Sequence, residues 1–260
     1  GESKYIDCME RTLYNGVISG MSMDGGRFFY PNPLSSDGKY KFNADGNTTR
    51  QPWFGCACCP SNLCRFIPSV PGYLYGVKDN NIYVNLFAGN TSTIKVNGKD
   101  VVLEETTEYP WNGDIKIAVK KSGVKNANIL VRIPGWVRNQ VVPSDLYKYS
   151  DAEKPAYSVT VNGKAVEADL NANKGYLPVK NIKKGDVIRI HFDMPIRTVV
   201  ANGKVADDKG KVAVERGPLV YCAEAVDNDN EPVLRTIMAK KPNFTLVDNY
   251  SIENKETQGA

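Results

Sequence analysis

The sequence is poor in histidine and has no long apolar run. One histidine, His191, occurs in 260 residues. A Ser-His-Asp triad, a histidine-rich metal site or another histidine-based acid–base scheme would therefore need groups from another chain segment. No apolar run approaches about 18 residues, which excludes a conventional transmembrane helix and predicts no membrane partner. Thiols, carboxylates and tyrosines remain as the groups that could carry chemistry.

The sequence also lacks any concentration of charge. Its net charge of +4 results from 33 basic and 29 acidic residues, which are scattered along the chain. Lys183-Lys184 and Lys240-Lys241 are short pairs without interleaved aromatic residues, so we predict a solvated surface and no nucleic-acid partner. Apolar residues make up 42% and charged residues 24% of the chain, and these ordinary values predict a packed core.

The six cysteines are unevenly distributed. Adjacent cysteines rarely reach disulfide geometry with each other without strain, and clustered thiols are more often ligands. The cluster therefore favours metal binding or thiol chemistry over simple disulfide pairing. Its four members fall within nine residues and are Cys56, Cys58, Cys59 and Cys64.

Two kinds of metal site are compatible with this cluster. Zinc prefers thiolate and imidazole ligands in tetrahedral geometry, and it would keep bound thiols deprotonated and nucleophilic. A turn that ends at Pro60 can point two of the thiolates at one ion, which leaves the site open for catalysis. In the alternative, all four cysteines form a closed, structural zinc site.

The first part of the chain predicts little regular structure. Apolar residues recur at helical spacing from Ile6 to Val17, and residues 21–30 have the pattern of a hairpin. Residues 31–60 are rich in Pro, Gly, Asn, Asp and Ser, which predicts a long irregular segment. Ser61 is then placed to cap a short helix that ends at Phe66.

After Gly72 the sequence shows the alternation typical of strands. Two-residue hairpin signals occur at Asn97-Gly98, Asn162-Gly163 and Asn202-Gly203. Strands separated by turns, without helical windows between them, predict a mainly β fold made of antiparallel β-sandwich domains. The predicted strands lie near residues 82–87, 93–96, 114–119, 129–133, 157–161, 187–192, 212–225 and 234–239.

The pattern divides the chain into three parts. A lone helix, a hairpin and a long loop bury little surface by themselves. Residues 1–72 are therefore predicted to be the C-terminal remnant of a larger helical domain, or to pack directly on the sandwich. We predict a β-sandwich domain over residues 73–195 and a second, incomplete β domain over residues 196–260.

Several blocks of the sequence are similar to one enzyme family. The most specific block is Arg50-Gln-Pro-Trp-Phe-Gly-Cys-Ala-Cys-Cys-Pro-Ser-Asn62, with its double cysteine. Over nearly its whole length the sequence resembles the non-reducing-end β-L-arabinofuranosidase family, glycoside hydrolase family 127. The supporting blocks lie at residues 10–16, 28–34, 109–113, 132–136 and 215–222.

The resemblance implies a retaining hydrolase in which a zinc-bound cysteine attacks the anomeric carbon and a glutamate acts as acid/base. By motif, Cys58 would be the nucleophile and a zinc ligand, and Cys59 a second zinc ligand. Tyr30 would contact the sugar, or pack as an aromatic residue beside Phe28 and Phe29. The implied partner is an arabinose-containing oligosaccharide or glycan. The family is compatible with a homodimer and with a bacterial periplasmic or cytoplasmic location.

The resemblance also implies an (α/α)6 barrel before the β domains, and residues 1–72 would be its last part. The family's other zinc ligands, a Glu-x-Cys pair, and its acid/base glutamate lie upstream of the block at residues 10–16. We therefore expect a C-terminal fragment with an incomplete zinc site and little activity of its own. The alternative is a non-catalytic β-sandwich module with a structural four-cysteine zinc site.

Structural roles are predicted for the remaining polar and aromatic candidates. The tryptophans of the β part are predicted to pack in the core, and the carboxylates of the family blocks to lie at the surface or in ion pairs. The isolated cysteines are predicted to be buried as small apolar residues, and the histidine to be structural. These residues are Trp111 and Trp136, Glu10 and Glu215, Cys8 and Cys222, and His191.

Overall fold

A computed structural model describes residues 1–239 and 242–247 of the chain. Two α-helices are present in this part, α1 (Ser3–Thr12) and α2 (Cys58–Phe66). The predicted first helix is confirmed, although its end is a π-helical turn at Leu13–Val17 and a 3-10 turn at Ile18–Gly20. Neither α1 nor α2 has the length and apolar composition needed to cross a membrane.

The described part of the chain contains fourteen strands, so the mainly β prediction is confirmed. They are β1 (Tyr75–Lys78), β2 (Asn81–Val84), β3 (Asn90–Val96), β4 (Lys99–Thr107), β5 (Asp114–Ser122), β6 (Asn128–Arg132), β7 (Tyr147–Tyr149), β8 (Tyr157–Val161), β9 (Lys164–Ala165), β10 (Tyr176–Val179), β11 (Val187–Phe192), β12 (Ile196–Ala201), β13 (Val212–Arg216) and β14 (Leu219–Tyr221).

The strands form three sheets. A four-stranded sheet has the order β1-β2-β6-β10, a six-stranded sheet the order β3-β4-β5-β11-β8-β9, and a second four-stranded sheet the order β14-β13-β12-β7. Antiparallel pairing dominates, as predicted, but β2 and β6 run parallel. Because these two strands are far apart in the sequence, no local turn signal indicates their pairing.

Two of the three predicted hairpin turns are confirmed. Asn97-Gly98 joins β3 to β4 and Asn162-Gly163 joins β8 to β9, and all four residues have positive φ, as a type I′ turn requires. The third prediction is wrong. The Asn202 side chain instead donates to the carbonyl of Asp145 and accepts from the amide of Lys204, which begins a longer connection from β12 to β13.

Two further local predictions are wrong. The region predicted as a strand at 234–239 contains only a 3-10 turn, Val233–Arg235. Helix α2 begins at Cys58, so Ser61 lies inside the helix and does not cap it. Its hydroxyl donates to the carbonyl oxygen of Cys58 at 3.3 Å, a local alternative to capping that serine often adopts within helices.

The chain separates into two compact units. The first, which we call the β unit, consists of Gly1–Arg11 and Ser69–Leu219. The second, the thiol unit, consists of Thr12–Pro68 and the described residues from Val220 onwards. Most of α1 therefore belongs to the β unit, whereas α2 and the cysteine cluster belong to the thiol unit.

The core of the β unit follows from strand alternation. In β11 the apolar Ile188, Ile190 and Phe192 are buried, while Arg189 and His191 between them are exposed. Since successive side chains of a strand point to opposite faces, this pattern fixes which face of the sheet packs against the core. The Phe192 ring packs tilted against Phe87 with the ring centroids 5.7 Å apart.

A buried ionic cluster fastens α1 within the β unit. Arg132 of β6 is fully buried and donates to Glu10 of α1, which is 2% exposed. Its guanidinium also donates to Asp7 at 2.8 Å, and Tyr109 donates to Glu10 at 2.9 Å. The salt-bridging role predicted for Glu10 is confirmed, and its alternative, a surface position, is wrong. Burial raises the pKa of Glu10, and the ion pair with Arg132 opposes this shift.

Glu215 of β13 is the second predicted carboxylate, and it is also buried in an ion pair. It is 1% exposed and accepts from the guanidinium of Arg11 and from the Tyr149 hydroxyl. Because a buried charge is tolerated only when it is paired, both family-block glutamates are explained by structure within the β unit.

Candidate functional site

The site is built on an irregular segment of the thiol unit that is held by a few polar bonds. Phe28 exchanges two backbone hydrogen bonds with Gln51, both 2.8 Å long, and forms a bridge with Met21 on its other side. Asn43 is 3% exposed; its amide oxygen accepts from the Tyr30 amide at 2.7 Å. Its amide nitrogen donates to the carbonyl of Thr49 at 2.7 Å. The Asn43 side chain thus connects the backbone at Tyr30 to the backbone at Thr49.

Aromatic contacts orient Tyr30 within this segment. Its ring packs edge-on against Phe54, which is 4% exposed, with the centroids 5.4 Å apart. Phe29, its neighbour, is covered by the guanidinium of Arg50, 4.5 Å from the ring centroid. The backbone amide and the ring of Tyr30 are thus both fixed, which leaves the hydroxyl as its reactive end.

The hydroxyl of Tyr30 meets the cysteine pair at the start of α2. Its oxygen lies 2.7 Å from Sγ of Cys58, and that sulfur lies 3.9 Å from Sγ of Cys59. Cys58 and Cys59 are the first two residues of α2, where the unpaired amides of a helix N-terminus favour negative charge. The structure therefore brings together the three residues singled out in the sequence.

The contacts divide the pair into one more acidic and one less acidic thiol. The hydrogen bond from Tyr30 lowers the pKa of Cys58, and the side chain of Cys59 lowers it further. The same bond raises the pKa of Tyr30 above its usual range. Desolvation raises the pKa of Cys59, and its contact with Cys58 adds to that shift. Cys58 is thus the thiol that ionises first.

The four-cysteine alternative is not formed in the described residues. No group of three or more His, Cys, Asp and Glu side chains within residues 1–239 and 242–247 is arranged to hold a metal ion. Cys64 lies near the other end of α2 from the pair. The described side chains therefore give no support to a closed site made of all four thiols, which stays a prediction.

The Cys58–Cys59 pair itself fits two corners of a zinc site. With zinc–sulfur bonds of about 2.3 Å in tetrahedral geometry, two thiolates on one ion lie roughly 3.8 Å apart. The observed separation of the two Sγ atoms is 3.9 Å. The pair can thus supply two of the four ligands without rearrangement.

Several residues predicted to be buried are instead exposed. Cys8, in α1, and Cys222, which follows the end of β14, are both exposed. Trp111 is 70% exposed, so its predicted core position is wrong, whereas Trp136 is 7% exposed and its core position is confirmed. Composition alone does not distinguish these two tryptophans.

Three family models match successive parts of the chain. The catalytic domain of the GH127 β-L-arabinofuranosidases matches residues 1–72. The middle domain of the same enzymes matches residues 81–194. The C-terminal domain of glycoside hydrolase family 127 matches residues 196–259.

Similar proteins agree with these matches. A non-reducing end β-L-arabinofuranosidase of Bifidobacterium longum is 35% identical over 240 residues, which cover 88% of this chain and 33% of the relative. The solved structure of a GH127 β-arabinofuranosidase matches with a TM-score of 0.80 at 57% identity, covering 87% of this chain and 34% of its own.

A GH127 β-L-arabinofuranosidase from Geobacillus stearothermophilus T6 matches with a TM-score of 0.73 at 37% identity, covering 87% of this chain and 34% of its own. The chain therefore spans about a third of the length of these relatives. With its three successive domain matches and these relatives, the chain belongs to glycoside hydrolase family 127.

Proposed function

We propose that this chain carries the thiol nucleophile of a retaining glycoside hydrolase that removes terminal β-L-arabinofuranosyl groups. The activity is proposed for a protein of the relatives' length that contains this chain, since the chain spans about a third of them. The observation that carries the proposal is the 2.7 Å contact between the Tyr30 hydroxyl and Sγ of Cys58 at the start of α2.

The proposed chemistry begins at Cys58. Its thiolate attacks the anomeric carbon, so a sulfur–carbon bond forms as the bond from that carbon to the leaving oxygen breaks. The leaving oxygen takes a proton from a carboxylic acid, which becomes a carboxylate. Water then attacks the same carbon and gives a proton to this carboxylate while the sulfur–carbon bond breaks, which releases the thiolate of Cys58. Two displacements at one carbon retain its configuration. The usual retaining scheme uses two carboxylates, and here a thiolate replaces the carboxylate that acts as nucleophile.

The neighbours of Cys58 prepare this step. Tyr30 donates a hydrogen bond that favours the thiolate, and Cys58 is exposed, so a sugar can reach the sulfur. Cys58 and Cys59 would hold zinc, which when bound keeps thiols deprotonated and oriented. The residues 1–239 and 242–247 add no third His, Cys, Asp or Glu ligand to the pair, so the other zinc ligands would come from residues beyond this described part.

The substrate class rests on the relatives. The names of the Bifidobacterium and Geobacillus proteins describe them as β-L-arabinofuranosidases. We extend this to an arabinose-containing oligosaccharide or glycan as the substrate of the protein that contains this chain. The support is the 57% identity to a GH127 β-arabinofuranosidase over 87% of the chain.

Kinetics of cysteine variants test the proposal. In a protein of the relatives' length, Cys58→Ala should lower kcat for an aryl β-L-arabinofuranoside by roughly 10⁴-fold or more, as loss of a nucleophile does. Cys64→Ala is the matched control, because Cys64 is also an exposed thiol of α2, and it should retain activity. Normal turnover by Cys58→Ala would exclude Cys58 as the nucleophile.

Zinc binding gives a readout independent of turnover. Cys58→Ser and Cys59→Ser should each lower the zinc content of the purified protein, measured by elemental analysis, whereas Cys64→Ser should leave it unchanged. Equal loss in all three variants would favour a closed four-thiol site. Unchanged zinc in the Cys58 and Cys59 variants would place the metal elsewhere.

A further inference from the structure

A groove with polar and apolar lining residues lies in the β unit, and an exposed tryptophan is the chain neighbour of one of them. The groove has a volume of about 540 Å³, and its wall includes Asn112 and Gly113, the loop residues Glu153 and Lys154, and Arg216 of β13. Trp111 precedes Asn112 in the chain and is 70% exposed. None of these residues belongs to the thiol unit.

The turn that carries Trp111 is held rigidly. The amide of Trp111 donates to the carbonyl of Glu108 at 2.8 Å, and its carbonyl accepts from Nη1 of Arg216 at 2.9 Å. Gly113 lies so close to β11 that an added Cβ would stand 2.0 Å from the carbonyl oxygen of Phe192. A fixed backbone keeps a large aromatic ring in the solvent, where it can stack on a ligand at little cost in conformational entropy.

The groove also contains charged side chains without a hydrogen bond or ion pair to the described part of the chain. Glu153 and Lys154 form no hydrogen bond or ion pair with residues 1–239 or 242–247. His191 binds one oxygen of Asp114 at 2.7 Å and one of Asp193 at 3.1 Å, which orders two further carboxylates of the wall. Donors and acceptors are thus both present.

The charges identify the class of ligand. The wall has carboxylates at Asp114, Glu153 and Asp193 and cationic groups at Lys154 and Arg216. Mixed charge disfavours a strongly anionic or cationic ligand, because part of the wall would repel either. A neutral molecule with many hydroxyls can accept from the cations, donate to the carboxylates and place an apolar C–H face on an aromatic ring.

We propose that this groove binds one or two sugar units of a neutral oligosaccharide, with Trp111 as the stacking platform and Glu153, Lys154 and Arg216 as hydrogen-bonding partners. The site goes beyond the proposed hydrolysis and uses none of the residues to which that hydrolysis is assigned. It would hold a glycan chain on the β unit, whereas Cys58 would act on a terminal sugar.

Calorimetric titration of the 260-residue chain with arabinan-derived oligosaccharides tests this site. Saturable binding at millimolar concentrations is expected, and Trp111→Ala should weaken it about tenfold, the effect of losing one good aromatic contact. Trp111→Phe should restore most of the affinity. Tyr5→Ala is the matched control, because Tyr5 is an exposed aromatic residue of α1 at 66% exposure, and it should bind like the parent chain.

Two further variants keep the outcome clear. Cys58→Ser should bind the oligosaccharide like the parent chain, so failure of the proposed hydrolysis would leave this result unaffected. Lys154→Ala should also weaken binding, and it tests the groove without changing the Trp111 turn. Absence of saturable binding, or equal affinity of the parent, Trp111→Ala and Lys154→Ala chains, would overturn the proposal.

Discussion

The β unit and the thiol unit differ in the burial of the side chains singled out in them. In the β unit, Arg132, Glu10 and Glu215 are at most 2% exposed, and each is paired. In the thiol unit, Cys58 and Cys59 are exposed, and the buried apolar residues of its described part are few: Leu13, Phe28 and Phe54. The buried charges are thus placed to affect stability, whereas the accessible thiols are the groups for which we propose a chemical role.

This contrast has a physical origin. A buried ion pair loses hydration and must be matched closely by its partners, so it belongs where strands and a helix fix each atom. The proposed nucleophile, Cys58, must be accessible to a substrate, and it is held by local contacts such as that with the Tyr30 hydroxyl, 2.7 Å from its Sγ atom. Substitutions of the buried charged residues in the β unit should therefore change stability, and those at the thiol pair should change reactivity.

The largest expected effect is at the ionic cluster of the β unit. Arg132→Met would leave Glu10 buried without its main partner, which should lower the free energy of unfolding by about 3–5 kcal/mol in urea titrations. Lys121→Met is the control, because Lys121 pairs with Asp100 while 57% exposed, and its effect should be below about 1 kcal/mol. Equal effects would contradict the assigned importance of the cluster.

A smaller effect is expected from Glu105, a carboxylate of β4 that is 3% exposed. Burial raises its pKa to about 7, against hydrogen bonds from Tyr75 and the Ala88 amide. The folded state then holds a proton that the unfolded state has lost, so this group lowers stability as pH rises from about 4.5 to about 7.

Glu105→Gln removes that titration. The stability of this variant relative to the parent chain should increase from pH 5 to pH 8, by on the order of 3 kcal/mol at most. Urea unfolding at both pH values measures the difference. A difference that is the same at both pH values would show that Glu105 does not titrate with a raised pKa.

At the thiol pair, the expected change is in reactivity. Tyr30→Phe removes the hydroxyl that lowers the pKa of Cys58, so alkylation of Cys58 by iodoacetamide should require a higher pH. Mass spectrometry of the Cys58 peptide follows the reaction. Cys8, an exposed thiol of α1, is the internal reference and should keep its profile. A Cys58 profile identical in both proteins would exclude a role for Tyr30.

The smallest expected effect is that of Cys58→Ser on stability. Because Cys58 is exposed, the free energy of unfolding of the metal-free chain should change by less than about 0.5 kcal/mol. A loss comparable to that of Arg132→Met would remove the contrast between the two units.

The sequence was sufficient for features that depend on local pattern. Asn97-Gly98 and Asn162-Gly163 predicted their turns, because only few residues adopt positive φ readily. The block with the double cysteine indicated Cys58 and Cys59, which lie at the start of α2 with their Sγ atoms 3.9 Å apart. At these positions, a short stretch of sequence was enough to predict the local structure or the residues of interest.

Features that depend on distant contacts could not be predicted in this way. Arg132 and Glu10 are 122 residues apart, and each alone resembles a surface charge. No turn motif in the sequence indicates the parallel pairing of β2 with β6. Trp111 lies in a turn whose backbone is hydrogen-bonded to Glu108 and Arg216. Its residue type alone gave no sign of these contacts and led to the wrong prediction of a core position.

The central claim is that Cys58 is the nucleophile, and covalent labelling tests it most directly. A protein of the relatives' length that contains this chain would be incubated with an electrophilic analogue of β-L-arabinofuranose, digested and analysed by mass spectrometry. The account predicts one pentose-derived label on the sulfur of Cys58 and none when an excess of L-arabinose protects the site. A label on a carboxylate or on another cysteine would contradict it.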